Sequence, residues 1–134
     1  HDVLGDENMF LFGLHADEVD RVKREGYVPQ RLYSHNDTLR RCLDALRHGF
    51  RDGVSYDDLY QRLLFGAGGS PADEYLLLAD FDSYCEAERR MAETYADPVK
   101  WNQMSLHNIA RSGIFAADRA VAEYADNIWH VPHK

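Results

Sequence analysis

Apolar residues recur at helical spacing along most of this chain, and twice they close up into short unbroken runs. The first run, Met9-Phe10-Leu11-Phe12, follows the polar stretch Gly5-Asp6-Glu7-Asn8 and ends at Gly13. Bounded by turn residues, it reads as a buried strand. A helix is predicted over Ala16–Glu25, with Asp17 and Glu18 in its first turn and Lys23 and Arg24 in its last. That order suits the helix dipole, and Gly26 serves as C-cap. Residues 27–35, with Pro29 inside, read as irregular. Asn36 or Asp37 then caps a helix to about His48, with Leu39, Cys42, Leu43 and Leu46 as its stripe and Gly49 as its stop. Ser55 caps a further helix with Asp57 and Asp58 in the first turn. Its apolar face is Tyr56, Leu59, Tyr60, Leu63 and Leu64.

Gly66-Ala67-Gly68-Gly69-Ser70-Pro71 reads as a flexible loop, and Tyr75-Leu76-Leu77-Leu78-Ala79 as a second buried strand. A helix over 80–95 carries Phe81, Tyr84, Cys85, Met91, Ala92 and Tyr95 along one side, interrupted by Glu88. Part of that face is therefore expected near solvent or a polar partner. Asp97-Pro98 pairs a cap with proline at the first helical position. The helix it opens carries Trp101, Met104, Ser105, Asn108 and Ile109 and closes at Gly113. A last helix runs from about Ala116 to Ile128 or Trp129, and there is no internal repeat.

The expected class is α/β and predominantly helical, with about six helices and two short buried strands. Continuous apolar strands belong to sheets covered on both faces, as in parallel α/β folds. Two strands alone make a marginal sheet, so the pattern points to a piece of a larger domain. The chain opens on His1 rather than methionine, which leaves a mature product, an expressed portion or a fragment open.

Composition adds exclusions. The 134 residues suffice for one domain with a core, at 45% hydrophobic and 28% charged. The net charge of −8 argues against a nucleic-acid partner, which demands clustered Lys and Arg. No apolar run approaches the roughly 20 residues that span a membrane, and no signal-peptide pattern is present. Cys42 and Cys85, both on apolar stripes, are expected as buried free thiols in a reducing compartment.

Candidate chemistry is sparse. The seven histidines (His1, His15, His35, His48, His107, His130 and His133) include no i,i+4 pair backed by a carboxylate, and surface positions are the default reading. His130 and His133 flank Pro132 and offer at most an adventitious metal site. The Gly66–Ser70 stretch follows a helix and contains no lysine, unlike a phosphate-binding loop, and reads as a linker. Asp80 and Asp82, just past the second predicted strand, are placed either for acid–base work or as caps of the next helix, the latter favoured. Arg111 and Arg119 lie near helix junctions, and for Arg119 a carboxylate partner is favoured over a bound anion. Trp101, Tyr124 and Trp129 are read as packing, with sugar stacking the alternative. No reaction follows from these residues alone.

A resemblance carries more. Gly5-Asp6-Glu7-Asn8-Met9-Phe10-Leu11-Phe12-Gly13-Leu14 closely resembles the G-E-E-N-I-F-I-F-G segment of the α-glucan (glycogen/maltodextrin) phosphorylases. Asp17-Glu18-Val19, then Gly26-Tyr27 with Pro29, resembles the stretch that follows. Tyr75-Leu76-Leu77-Leu78-Ala79-Asp80-Phe81-Asp82-Ser83-Tyr84 looks like the family's segment ending A-D-F/Y-x-x-Y. Tyr95-x-Asp97-Pro98-x-x-Trp101 matches Y-x-D/N-P-x-x-W, and Asn108-Ile109-Ala110-Arg111-Ser112-Gly113-x-Phe115 matches N-x-A-x-S-G-x-F. Asp118-Arg119, Tyr124-Ala125 and Ile128-Trp129 match the closing helix. The matches keep order and spacing over nearly the whole chain. Departures are Ala116-Ala117, where the family usually has two serines, Glu88, where it often has Gln, and the poorly matching stretch 51–73.

The resemblance implies the C-terminal segment of the second Rossmann-like domain of a GT-B type glycosyltransferase, spanning 1–134 with no second domain. The implied parent enzyme cleaves terminal α-1,4-glucosyl units with inorganic phosphate, releasing glucose 1-phosphate. It uses pyridoxal 5′-phosphate on a lysine whose motif lies upstream, and none of Lys23, Lys100 and Lys134 sits in that motif. No catalytic, cofactor-binding or metal-binding residue is therefore expected here, and the chain alone is expected to be inactive. Expected partners are the remainder of the parent, its glucan and phosphate substrates, and a second copy in a cytoplasmic homodimer, with neither nucleic acid nor membrane. The rival expectations are a stand-alone helical interaction domain and a degenerate sugar-binding module. Deprived of neighbouring strands, the segment is also expected to expose apolar surface and an open sheet edge and to self-associate.

Overall fold

The computed structural model describes residues 5–131. The chain divides into two compact units, one formed by Phe12–Ala87 and the other by the residues up to Leu11 together with those from Glu88 onward.

In the unit of residues 12–87, α1 (Ala16–Glu25) ends on Gly26 in the left-handed region, as its sequence predicts. α2 (Pro29–His35) occupies the stretch expected to be irregular. Proline at the first helical position needs no N–H and holds φ near the helical value, so Pro29 starts a helix there. α3 (Asp37–His48) is capped by Asn36, whose side chain accepts the N–H groups of Thr38 and Leu39 at 3.1 and 3.0 Å. α4 (Asp57–Phe65) starts without a side-chain cap at Tyr56, and the expected cap, Ser55, accepts only a long 3.5 Å bond from Asp57 N–H.

Leu39 and Leu43 of α3, Tyr60 and Leu64 of α4, and Leu78 form the core of this unit, with Leu32, Tyr33, Leu46, Leu63 and Phe81 packed around it. Leu39 and Leu64 are 2% and 1% exposed. Burying each is worth about 1.5–3 kcal/mol in apolar transfer. Cys42 does not join them and is exposed, while Cys85 is only partly buried. At 3.6 residues per turn, Cys42 stands about 60° from Leu39 on the side away from Leu43, at the rim of the stripe.

Neither predicted strand forms, and no strand is present among the described residues. Tyr75–Ala79 was expected as a strand but lies across a turn and the start of α5 (Leu77–Tyr95). Its three leucines and alanine are helix formers without β-branching, and a short apolar run fits either state. A cap decided the outcome, because Asp73 accepts the N–H groups of Leu77 and Leu78, both at 2.8 Å. Met9 is extended but turns its N–H to the Asp6 carbonyl at 3.4 Å rather than to a strand, and Leu11 and Phe12 are exposed rather than buried. Side chains take the place of a neighbouring strand here. Ser83 Oγ accepts Gly13 N–H at 2.8 Å and Asp80 Oδ1 accepts Leu14 N–H at 2.9 Å. The expected open sheet edge is therefore absent from the described residues.

The second unit holds a short 3-10 turn (Asp6–Asn8), the later part of α5, α6 (Pro98–Arg111), a 3-10 turn (Ser112–Phe115), α7 (Ala117–Tyr124) and a π turn (Ala125–Trp129). Asp97 caps α6 as predicted, accepting Val99 and Lys100 N–H at 3.1 Å each. Asn108 of α6 donates to the carbonyls of Asn8 and Met104 at 3.1 and 3.0 Å, tying α6 to the 3-10 turn. Ala116 precedes α7 with no side-chain cap, the expected consequence of alanine at that position. The last helix is thus split, α-helical to Tyr124 and π-helical from Ala125 to Trp129.

Candidate functional site

The densest polar constellation lies at the start of α5. Asp73 is 3% exposed, sits at φ 43° and turns both carboxylate oxygens inward. Oδ1 accepts from Leu77, and Oδ2 from Leu78 and from the Tyr27 hydroxyl at 2.6 Å. A carboxylate here also meets the positive end of the helix dipole. Burial, reinforced by the hydrogen bond to Asp73, pushes the Tyr27 hydroxyl well above its ordinary range. Both residues are engaged by bonds within the fold, and the constellation anchors the start of a helix.

Asp80 and Asp82 do not cap α5, since Asp73 does. Asp80 receives Leu14 N–H, and Asp82 Oδ1 receives Asn36 Nδ2 at 2.7 Å, holding the amide whose oxygen caps α3. The two carboxylates fasten separate segments rather than facing a shared space. Elsewhere in this unit, Tyr33 donates to Asp44 Oδ1 at 2.7 Å, and that bond raises its pKa. The exposed Tyr56–Asp52 pair, bonded at 2.7 Å, holds the Asp52 carboxyl low and the Tyr56 hydroxyl high. Gly66–Ser70 closes a tight turn through Ser70 N–H to the Ala67 carbonyl at 3.0 Å.

In the other unit, the Arg119 guanidinium donates to Glu123 and to the Ile114 carbonyl, the carboxylate-paired role favoured from sequence. Trp101 stacks on Phe10 with ring centroids 6.2 Å apart and meets Tyr95 edge-on at 5.0 Å, whereas Tyr124 stacks on Trp129 at 5.9 Å. His35, His48 and His130 each turn Nδ1 to the carbonyl four residues earlier. No cluster of three or more His, Cys, Asp or Glu able to hold a metal exists among the described residues, and His1 and His133 lie outside them.

Clefts open in both units. One of about 390 Å³ in the unit of residues 12–87 is mainly apolar, lined by Leu46, Leu59, Leu63, Pro71, Tyr75 and Leu77 among others. In the other unit, a cleft of about 320 Å³ is lined by Asp6, Glu7, Glu93, Asp97, Arg90 and Lys100 among others. A further one of about 320 Å³ borders Trp101 and Phe10. These residues do not fit pyridoxal phosphate. Lys23 is exposed on α1, and Lys100 is exposed beside four carboxylates that oppose a phosphate. No helix of the described residues is long and apolar enough to cross a membrane.

Asp73 is the residue the sequence reading missed. It stands three residues before the leucine run and accepts N–H groups four and five residues on, beyond the reach of about two to three residues of an ordinary helix cap, so no local capping pattern announced it.

The family model for carbohydrate phosphorylases matches residues 1–131, and the chain belongs to that family. It is similar to glycogen phosphorylase of Synechocystis, at 38% identity over 96% of this chain and 15% of the relative. It is likewise similar to glycogen phosphorylases of Chlamydia pneumoniae, at 37% over 98% of this chain and 16% of the relative, and of Bacillus subtilis, at 36% over 96% and 16%. The chain thus spans about one sixth of the length of the curated relatives it matches.

Proposed function

We propose that this chain is the C-terminal segment of an α-glucan phosphorylase that transfers terminal α-1,4-glucosyl units from glucan to inorganic phosphate, giving glucose 1-phosphate. The observation that carries this reading is the match of nearly the whole chain to a small share of proteins described as glycogen phosphorylases. The whole protein is read as a two-domain GT-B glycosyltransferase, a cytoplasmic homodimer with pyridoxal 5′-phosphate on a lysine outside this segment.

In this reading the segment contributes packing rather than chemistry. Support comes from the saturated Asp73, Asp80, Asp82 and Arg119 side chains, each committed to backbone or side-chain partners within the fold. Exposed apolar residues on both units, among them Phe65, Tyr75, Ile109, Phe115 and Trp129, fit a segment that rests against the rest of a larger protein.

The test is phosphate-dependent release of glucose 1-phosphate from maltodextrin, measured in parallel on the whole protein and on residues 1–134. Activity in the whole protein alone is expected. Activity in neither would overturn the assigned reaction and favour a non-catalytic interaction or sugar-binding role. Turnover by residues 1–134 alone would overturn the packing role.

A further inference from the structure

We draw no further inference here: the strongest candidate, the apolar cleft of about 390 Å³ walled by Leu46 of α3, Leu59 and Leu63 of α4 and the Pro71–Leu77 turn, is an unpartnered apolar surface, and nothing in the structure shows what covers it.

Discussion

The Tyr27 hydroxyl donates to Asp73 Oδ2 at 2.6 Å, the same oxygen that accepts Leu78 N–H at 2.8 Å. A tyrosine 46 positions away thereby joins the buried carboxylate that holds the start of α5. Asp73→Ala removes a two-oxygen cap and leaves Tyr27 without its acceptor. The expected loss is roughly 2–4 kcal/mol, combining a helix cap with a charge-assisted hydrogen bond. Asp73→Asn should lose less, because asparagine tolerates positive φ and keeps one acceptor oxygen. Urea unfolding of the two variants measures the difference, and equal midpoints for Asp73→Ala and the native protein would refute the anchoring role.

Burial of the Tyr27 hydroxyl, reinforced by the same bond, sets a pH dependence. The folded protein holds the Tyr27 proton well above the ordinary tyrosine pKa of about 10, whereas the unfolded chain releases it there. Above that pH the unfolded state binds fewer protons than the folded one, so stability falls as pH rises. Below it the contribution is fully present and flat. Tyr27→Phe should reduce stability at neutral pH and flatten the alkaline fall, as read from thermal melts at a series of pH values between neutrality and pH 11.

Two glycines should respond differently to alanine. Gly26 caps α1 at φ 87° with no atom within 4 Å of where a Cβ would stand, so Gly26→Ala costs only left-handed backbone strain, about 1–2 kcal/mol. At Gly66, φ is 79° and a Cβ would lie 2.4 Å from the Ser70 carbonyl oxygen and 3.0 Å from Ala72 N. Backbone atoms cannot swing aside, so Gly66→Ala should be clearly the more destabilising of the two. Guanidinium titration of both variants decides it, and equal losses would show that the turn gives way.

Core position rather than apolar character should set the cost of truncation along α4. Leu64→Ala, at a side chain 1% exposed, is expected to cost about 2–5 kcal/mol. Leu59→Ala, earlier in the same helix and 45% exposed, should cost well under half as much. Denaturation midpoints supply the comparison, and similar losses would place Leu59 in a buried contact.

Most helices were legible because their signals are local. The Asn36 and Asp97 caps, the Gly26 stop and the Leu39–Leu43 stripe each act within a turn or two of the residues that announce them. Pro29 was readable in either direction, since proline breaks a helix in its middle and favours one at its start.

Family membership and the main helix pattern could be read from the residues alone. Tertiary structure decided the rest. Tyr75–Ala79 has the composition of a buried strand or a helix start, and only Asp73, held in place by Tyr27 from far along the chain, tips it to helix. Phe12–Leu14 bends at Gly13, φ 93°, and joins no sheet, because Ser83 and Asp80 supply the hydrogen-bond partners that a neighbouring strand would give. Such choices depend on which distant groups satisfy a buried backbone polar atom. Periodicity along one chain carries no information about that, since it records which face is apolar and not what that face meets.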